Sequence, residues 1–267
     1  MNKCAFCIPL HPKHYEYAKY IAKEINNSDA DLYFIFTDQK DKDQFECDSK
    51  YGSLILTDFT DLAVVEKTES FITIKKYYAL SCLKKKYEYI ACIDAEVKFI
   101  KTDGFYSIMR DVAESKTLFG SFLDTDNHGR TIVYKSLMSI TPPEDHNNLA
   151  EISRLYSVYT WWSNLPVYKS RHMDHFLSWI HFDNSTLERF NWSVFDHMLY
   201  NFYCVLFHNY TIKLSDKCKT SFEFLDSKTL EYVDSRVKLY WVNKKAYDEN
   251  PEYYNKRNFF IIYHCDR

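Results

Sequence analysis

Two carboxylates separated by one small residue, Asp94-Ala95-Glu96, follow the apolar run Tyr89-Ile90-Ala91-Cys92-Ile93. Side chains at i and i+2 of an extended chain lie on the same side. Asp94 and Glu96 can therefore approach one divalent cation, a hard ion that prefers oxygen ligands. Such a cation commonly neutralises a diphosphate during group transfer. The same run continues as Glu96-Val97-Lys98. With Asp94, this E-x-K also fits a metal-dependent nuclease, in which a lysine helps to activate water. Cys4 and Cys7 form a lone C-x-x-C, but it lies in the apolar run Cys4-Ala5-Phe6-Cys7-Ile8 and no second pair follows. A four-thiolate zinc site and a redox pair at a helix start are both disfavoured.

The elements that must position Asp94 and Glu96 alternate between strand and helix. Residues 5–10 read as a strand ended by His11-Pro12, and 15–25 carry Tyr17, Ala18, Ile21, Ala22 and Ile25 at helical spacing. Residues 31–36 and 53–56 read as further strands, 72–85 as a helix, 89–93 as a buried strand, 105–115 as a helix and 117–123 as a strand. This order predicts an α/β fold with a mostly parallel sheet, whose ligands bind beyond the C-terminal ends of the strands. The second half is less regular. Residues 124–128 and 142–148 read as loops, 160–168 are rich in aromatics, and 174–180 and 193–207 read as helices. Residues 258–265 read as a closing strand. No repeat or linker divides the 267 residues, so a single domain is expected, with a first half over 1–123 and a second over 124–267.

Composition removes several function classes. Four glycines cannot supply a P-loop or a G-x-G-x-x-G dinucleotide loop. A net charge of −3 argues against a nucleic-acid partner, and the one basic run, Lys84-Lys85-Lys86, fits the end of a helix. Eight scattered cysteines fit free thiols in a reducing compartment. The opening residues do not read as a signal peptide, and no apolar run approaches the roughly 18 residues of a membrane span. The expectation is a cytoplasmic protein, with peripheral association at the inner face of a membrane left open.

The chain resembles GT-A-fold, nucleotide-sugar-dependent glycosyltransferases, and in particular bacterial capsule and lipopolysaccharide transferases. Four places carry the resemblance. Ile8-Pro9-Leu10-His11 looks like the opening strand and turn, and Phe36-Thr37-Asp38 like the end of the second strand. Lys75-Lys76-Tyr77-Tyr78-Ala79-Leu80 precedes the strand end Asp94-Ala95-Glu96, which looks like the family's D-x-D. Trp161-Trp162-Ser163-Asn164-Leu165-Pro166-Val167-Tyr168 and Phe195-Asp196-His197-Met198-Leu199-Tyr200 look like acceptor-side segments. The departure is Glu96, where such families usually carry Asp.

The resemblance implies a Rossmann-like, mostly parallel central sheet flanked by helices, with an α-rich acceptor-side second half. It implies a sugar moved from a nucleotide diphosphate donor to a hydroxyl of a surface glycan or lipid-linked glycan, with inversion. Pro9, His11, Thr37 and Asp38 would line the nucleoside pocket, and Lys75 or Lys76 would reach the sugar or diphosphate. Asp94 and Glu96 would hold Mn²⁺ or Mg²⁺, with His264 as a further ligand. Asp196 would be the base that deprotonates the acceptor, and His197 the lesser candidate. Trp161, Trp162 and Tyr168 would form an aromatic platform for sugar rings, and Asp174 and His175 would meet acceptor hydroxyls. The rivals are the nuclease built on Asp94, Glu96 and Lys98, and a non-catalytic scaffold of the same fold.

Overall fold

The computed structural model describes residues 2–65, 71–121, 134–135, 137–155, 165–190, 194–215, 241–256 and 261–263. At its centre is β1 (Cys4–Pro9), six consecutive buried residues. A run this apolar belongs to a strand covered on both faces. It pairs in parallel with β2 (Ala30–Phe36) on one side and β4 (Tyr89–Cys92) on the other. β3 (Gly52–Ile55) extends the sheet in parallel beyond β2. A later strand, β7 (Val167–Lys169), closes the far edge antiparallel to β4. The order is thus β3-β2-β1-β4-β7. The expected α/β fold with a mostly parallel sheet is what the chain adopts.

Alternation along β1 sorts the two cores. Cys4, Phe6 and Ile8 pack with α1 (Tyr15–Ile25), through Ala18, Ile21, Ala22 and Ile25. Ala5 and Cys7 face the opposite layer, which holds α2 (Phe71–Leu83). The first layer also takes α3 (Phe105–Glu114) through Phe105, Met109 and Ala113. The second takes α4 (His146–Leu155), α5 (Met173–Trp179) and α6 (Asp196–His208). α2 has no strongly polar face, and buries residues all round, including Lys75 and Lys76. A helix of that kind sits inside the fold rather than on it.

Smaller sheets flank the centre. β5 (Val97–Phe99) pairs antiparallel with β10 (Ile261–Tyr263), which runs parallel to β9 (Trp241–Asn243). β6 (Thr117–Ser121) pairs in parallel with β8 (Thr211–Ser215).

One expectation changes. Residues 142–148 do not form a loop: Pro143–Asp145 make a single 3₁₀ turn that runs directly into α4. In the polar first turn Asn147 and Asn148 are exposed and His146 is half-buried, while the fully buried Leu149 anchors the helix. Of the closing strand read over 258–265, the described part is Ile261–Tyr263, and it is a strand. The expected loop 124–128 lies outside the described residues. Cys4 and Cys7 sit inside β1 as buried free thiols, and burial pushes the Cys4 thiol up to about 12. Among the described residues no helix is long and apolar enough to cross a membrane.

Two core histidines make this packing sensitive to acid. Burial lowers His197 to about 3, with the Lys76 charge adding to the effect. Burial also lowers His172 to about 3, helped by His208, Lys169 and Arg171. Both rings titrate near 6.5 once the chain unfolds. Between those limits the unfolded chain binds more protons, so this contribution is complete above pH ~6.5 and is lost as the pH falls towards ~3. Urea unfolding across that range should show a loss of about 1.4 kcal/mol per pH unit for each histidine. The His197→Phe variant should show a shallower loss. A stability that stays flat from neutral pH to about pH 4 would contradict the assignment.

Candidate functional site

β1 is the point where the strand order reverses, with β2 to one side and β4 to the other, and ligands of open α/β sheets bind beyond such a point. Leu10 N–H still donates to Ile35 O (2.9 Å), and Ile93 N–H to Cys7 O (3.1 Å). Past these bonds the two chains part, and a cavity of about 570 Å³ opens. Pro9, Leu10, His11, Lys13 and His14 line it from the β1 side, and Asp94, Ala95 and Glu96 from the β4 side. The opposite wall is the first two turns of α2 (Phe71, Ile72, Thr73, Lys75, Lys76) and the start of α6 (Val194, Phe195, Asp196).

The D-x-E behaves as its spacing requires. Ala95 is buried, while Asp94 and Glu96 are partly open to the cavity. The His14 ring lies near Glu96, with Nδ1 3.8 Å from Oε2. Lys98 continues the alternation but is exposed, with Nζ 5.9 Å from the centre of the Tyr20 ring, and it is not among the residues lining the cavity. The E-x-K needed by a nuclease is therefore not assembled around one site.

A largely buried charge network is built into the cavity wall. Lys76, 5% exposed, places Nζ 3.1 Å from Asp94 Oδ1 and 3.2 Å from Asp196 Oδ1. Burial alone would lower this ammonium, but the Asp196 and Asp94 carboxylates outweigh it and the net shift is upward. Lys76 is therefore charged at any working pH. The second Asp196 oxygen accepts from the Tyr168 hydroxyl at 2.5 Å. The Tyr77 hydroxyl donates to Asp196 O (3.1 Å) and Thr73 Oγ1 to Val194 O (2.8 Å), so α2 and the start of α6 are tied at the wall. Burial first, and the Asp196 charge second, hold Tyr77 and Tyr168 well above the ordinary phenol value, so both remain donors.

Lys75 differs from its neighbour. It donates from Nζ to Leu10 O (2.7 Å) and stands 4.6 Å over the Phe71 ring. Burial lowers it to about 8, with Asp41 and Asp38 opposing only in part. The His11 ring is lowered as well, by burial and by the positive charge of Lys13, His14 and Lys75.

Of the residues singled out from sequence, Pro9, His11, Lys75, Lys76, Asp94, Glu96 and Asp196 converge on this cavity. Others do not. Asp38 caps the short helix Gln39–Asp43 by accepting from Asp41 N–H (2.8 Å), and neither it nor Thr37 lines the cavity. Tyr168 is a fully buried support for Asp196 rather than an open platform. Asp174 is exposed and held by Lys84 at 2.6 Å, away from the cavity, and that bond keeps its carboxyl below its usual range. His175 contacts the Tyr203 hydroxyl (2.8 Å) instead. His197 lies against the Tyr168 ring, and neither ring nitrogen has a hydrogen-bond partner among the described residues. Trp161, Trp162 and His264 lie outside the described residues. Sequence reasoning missed Phe71, Thr73, Val194 and His14, close in sequence to Lys75, Asp196 and His11, because nothing in residue type or spacing distinguished them from their neighbours. Among the described residues no three His, Cys, Asp or Glu side chains converge as a metal cluster.

The network makes a stability prediction. Lys76→Met leaves the buried Asp196 and the half-buried Asp94 without their cation, and should cost about 3 kcal/mol in chemical unfolding. Adding Asp196→Asn should recover part of that loss, a coupling of at least about 1 kcal/mol. Simply additive losses would contradict the pairing.

No protein-family model matches the chain, and no curated protein matches it. Among solved structures, the apo form of mouse xyloside xylosyltransferase 1 is similar with a TM-score of 0.40 and 11% identity, over 98% of this chain and 97% of that one. At that score and identity the likeness carries no argument about activity, donor or acceptor.

Proposed function

We propose that the protein is a metal-dependent glycosyltransferase that takes its sugar from a nucleotide diphosphate donor. The carrying observation is one cavity at the β1/β4 switch point, bordered by the D-x-E strand end on one side and Lys75 and two helix starts on the other. Those helix starts carry the positive end of the backbone dipole, which favours a phosphate. The sequence resemblance to GT-A transferases points the same way.

The donor set fits a hard divalent cation. Mg²⁺ and similar ions are commonly held by one or two carboxylates, with water and substrate phosphates completing the shell. Asp94 and Glu96 would hold Mn²⁺ or Mg²⁺ in this way. Bound there, the ion would offset the charge that develops on the leaving diphosphate. Lys76 fixes Asp94 by one oxygen. Pro9 and His11 border the space available to the nucleoside.

For the acceptor, inversion by direct displacement needs a base, and Asp196 is the proposed one. It borders the cavity, but both oxygens are engaged, by Lys76 and Tyr168. To take a proton it must loosen one of those bonds. The acceptor class proposed is a hydroxyl of a surface glycan or lipid-linked glycan, with the enzyme working at the cytoplasmic side of a membrane.

Calorimetric titration with UDP, GDP, CDP and CMP, with and without Mn²⁺, tests the donor site. One nucleotide should bind in a metal-dependent way, and Asp94→Ala should abolish that dependence. If none of the four binds, the reading fails. Asp196→Asn should keep nucleotide affinity near the wild-type value while turnover, followed as nucleotide released from the sugar nucleotide, is lost. Loss of affinity as well would make Asp196 a positioning residue acting through Lys76.

A further inference from the structure

Lys75 and Lys76 are adjacent, yet they stand on different terms with the cavity. The Lys76 charge is matched by two carboxylates. Lys75 is 2% exposed, and among the described residues it has no carboxylate within ion-pair distance. Its ammonium has three N–H bonds, of which the Leu10 carbonyl takes one. The Phe71 ring adds a weak electrostatic contact. A cation withdrawn from water with only a carbonyl and a ring to face is an expensive arrangement. An incoming anion would repay that cost.

We propose that Lys75 is the phosphate-contacting cation of the cavity, and that Lys76 is not. The ligand chemistry is a phosphoryl group, carried by a nucleoside diphosphate. The first turn of α2, with Phe71, Ile72 and Thr73 on the same wall, adds a favourable backbone field. Binding also carries a proton linkage. Burial holds the free ammonium near pH 8, and a bound phosphate stabilises its charged form. Affinity is therefore highest below that pH and declines above it. This inference rests on the donor-site reading, and the test separates the two.

The test is calorimetry on the full chain with inorganic pyrophosphate and with the best-binding nucleoside diphosphate, each with and without Mn²⁺. It is run on wild type, Lys75→Met and Lys75→Arg. Lys75→Met should weaken both ligands by about ten- to a hundredfold, the effect of removing a charged hydrogen bond. The increase that Mn²⁺ gives to nucleotide affinity should survive, because Asp94 and Glu96 are intact. Lys75→Arg should recover part of the loss. A Lys75→Met variant that melts like wild type and binds both ligands within about twofold would overturn the inference while leaving the donor site standing. Failure of wild type to bind either ligand would overturn both. Weakening for the nucleotide alone, with pyrophosphate unchanged, would move the Lys75 contact off the phosphate and overturn the inference. If Lys75→Met does not fold, the wild-type pH profile decides. Nucleotide affinity should fall above about pH 8, where the nucleotide's own phosphates have finished titrating. A flat profile from about pH 7.5 to 9.5 would overturn the inference.

Discussion

A single buried ammonium organises the centre of this protein. Lys76 reaches from α2 to Asp94, just past the end of β4, and to Asp196, at the first residue of α6. Three segments far apart in sequence are thereby held at one charge. The arrangement is costly to dehydrate and is tolerated only with its partners in place. Remove the ammonium and two carboxylates are left close together at the cavity wall. Remove either carboxylate and the ammonium loses part of what keeps it charged. Tyr168 and Tyr77 complete the set by donating to Asp196. The cavity wall is therefore as rigid as this network, and Asp94 reaches the cavity with one oxygen already committed.

The sheet explains why the cavity lies where it does. Parallel pairing of β1 with both β2 and β4 makes all three chains emerge at the same end. The crossover connections then diverge, leaving a gap that α2 and the start of α6 wall off. Because α2 is buried on nearly every side, its two lysines cannot reach open solvent. They must find partners inside, and the partners differ. One is neutralised by carboxylates and serves the structure. Among the described residues the other faces a carbonyl and a ring.

Much of the fold was readable because local patterns and tertiary demands agree. The uninterrupted apolar run of β1 and the spacing Ala18, Ile21, Ala22 and Ile25 in α1 each name their element. The alternation through Asp94, Ala95 and Glu96 carries directly into the observed burial. The start of α4 was hidden because its first turn is polar and only Leu149 reports the core. The site was legible in part for a different reason. Strand ends at a switch point are recognisable from order alone, but the Lys76–Asp196 contact spans 120 positions and leaves no spacing to read. Asp38 was ambiguous, because an Asp after a strand serves equally as a ligand contact or as a helix cap. Here the cap at Gln39–Asp43 takes it. Tyr168 and Asp174 were singled out by side-chain type, whereas their burial and ion pairing are set by neighbours that sequence does not reveal.

The most direct test of the central claim is a crystal structure of the protein with Mn²⁺ and the nucleoside diphosphate it binds best, measured at the manganese absorption edge. The account predicts one anomalous peak within ligand distance of Asp94 and Glu96, with the diphosphate between that ion and Lys75, and Lys76 still spanning Asp94 and Asp196. A nucleotide bound elsewhere, or a diphosphate in this cavity with no manganese beside Asp94, would contradict it.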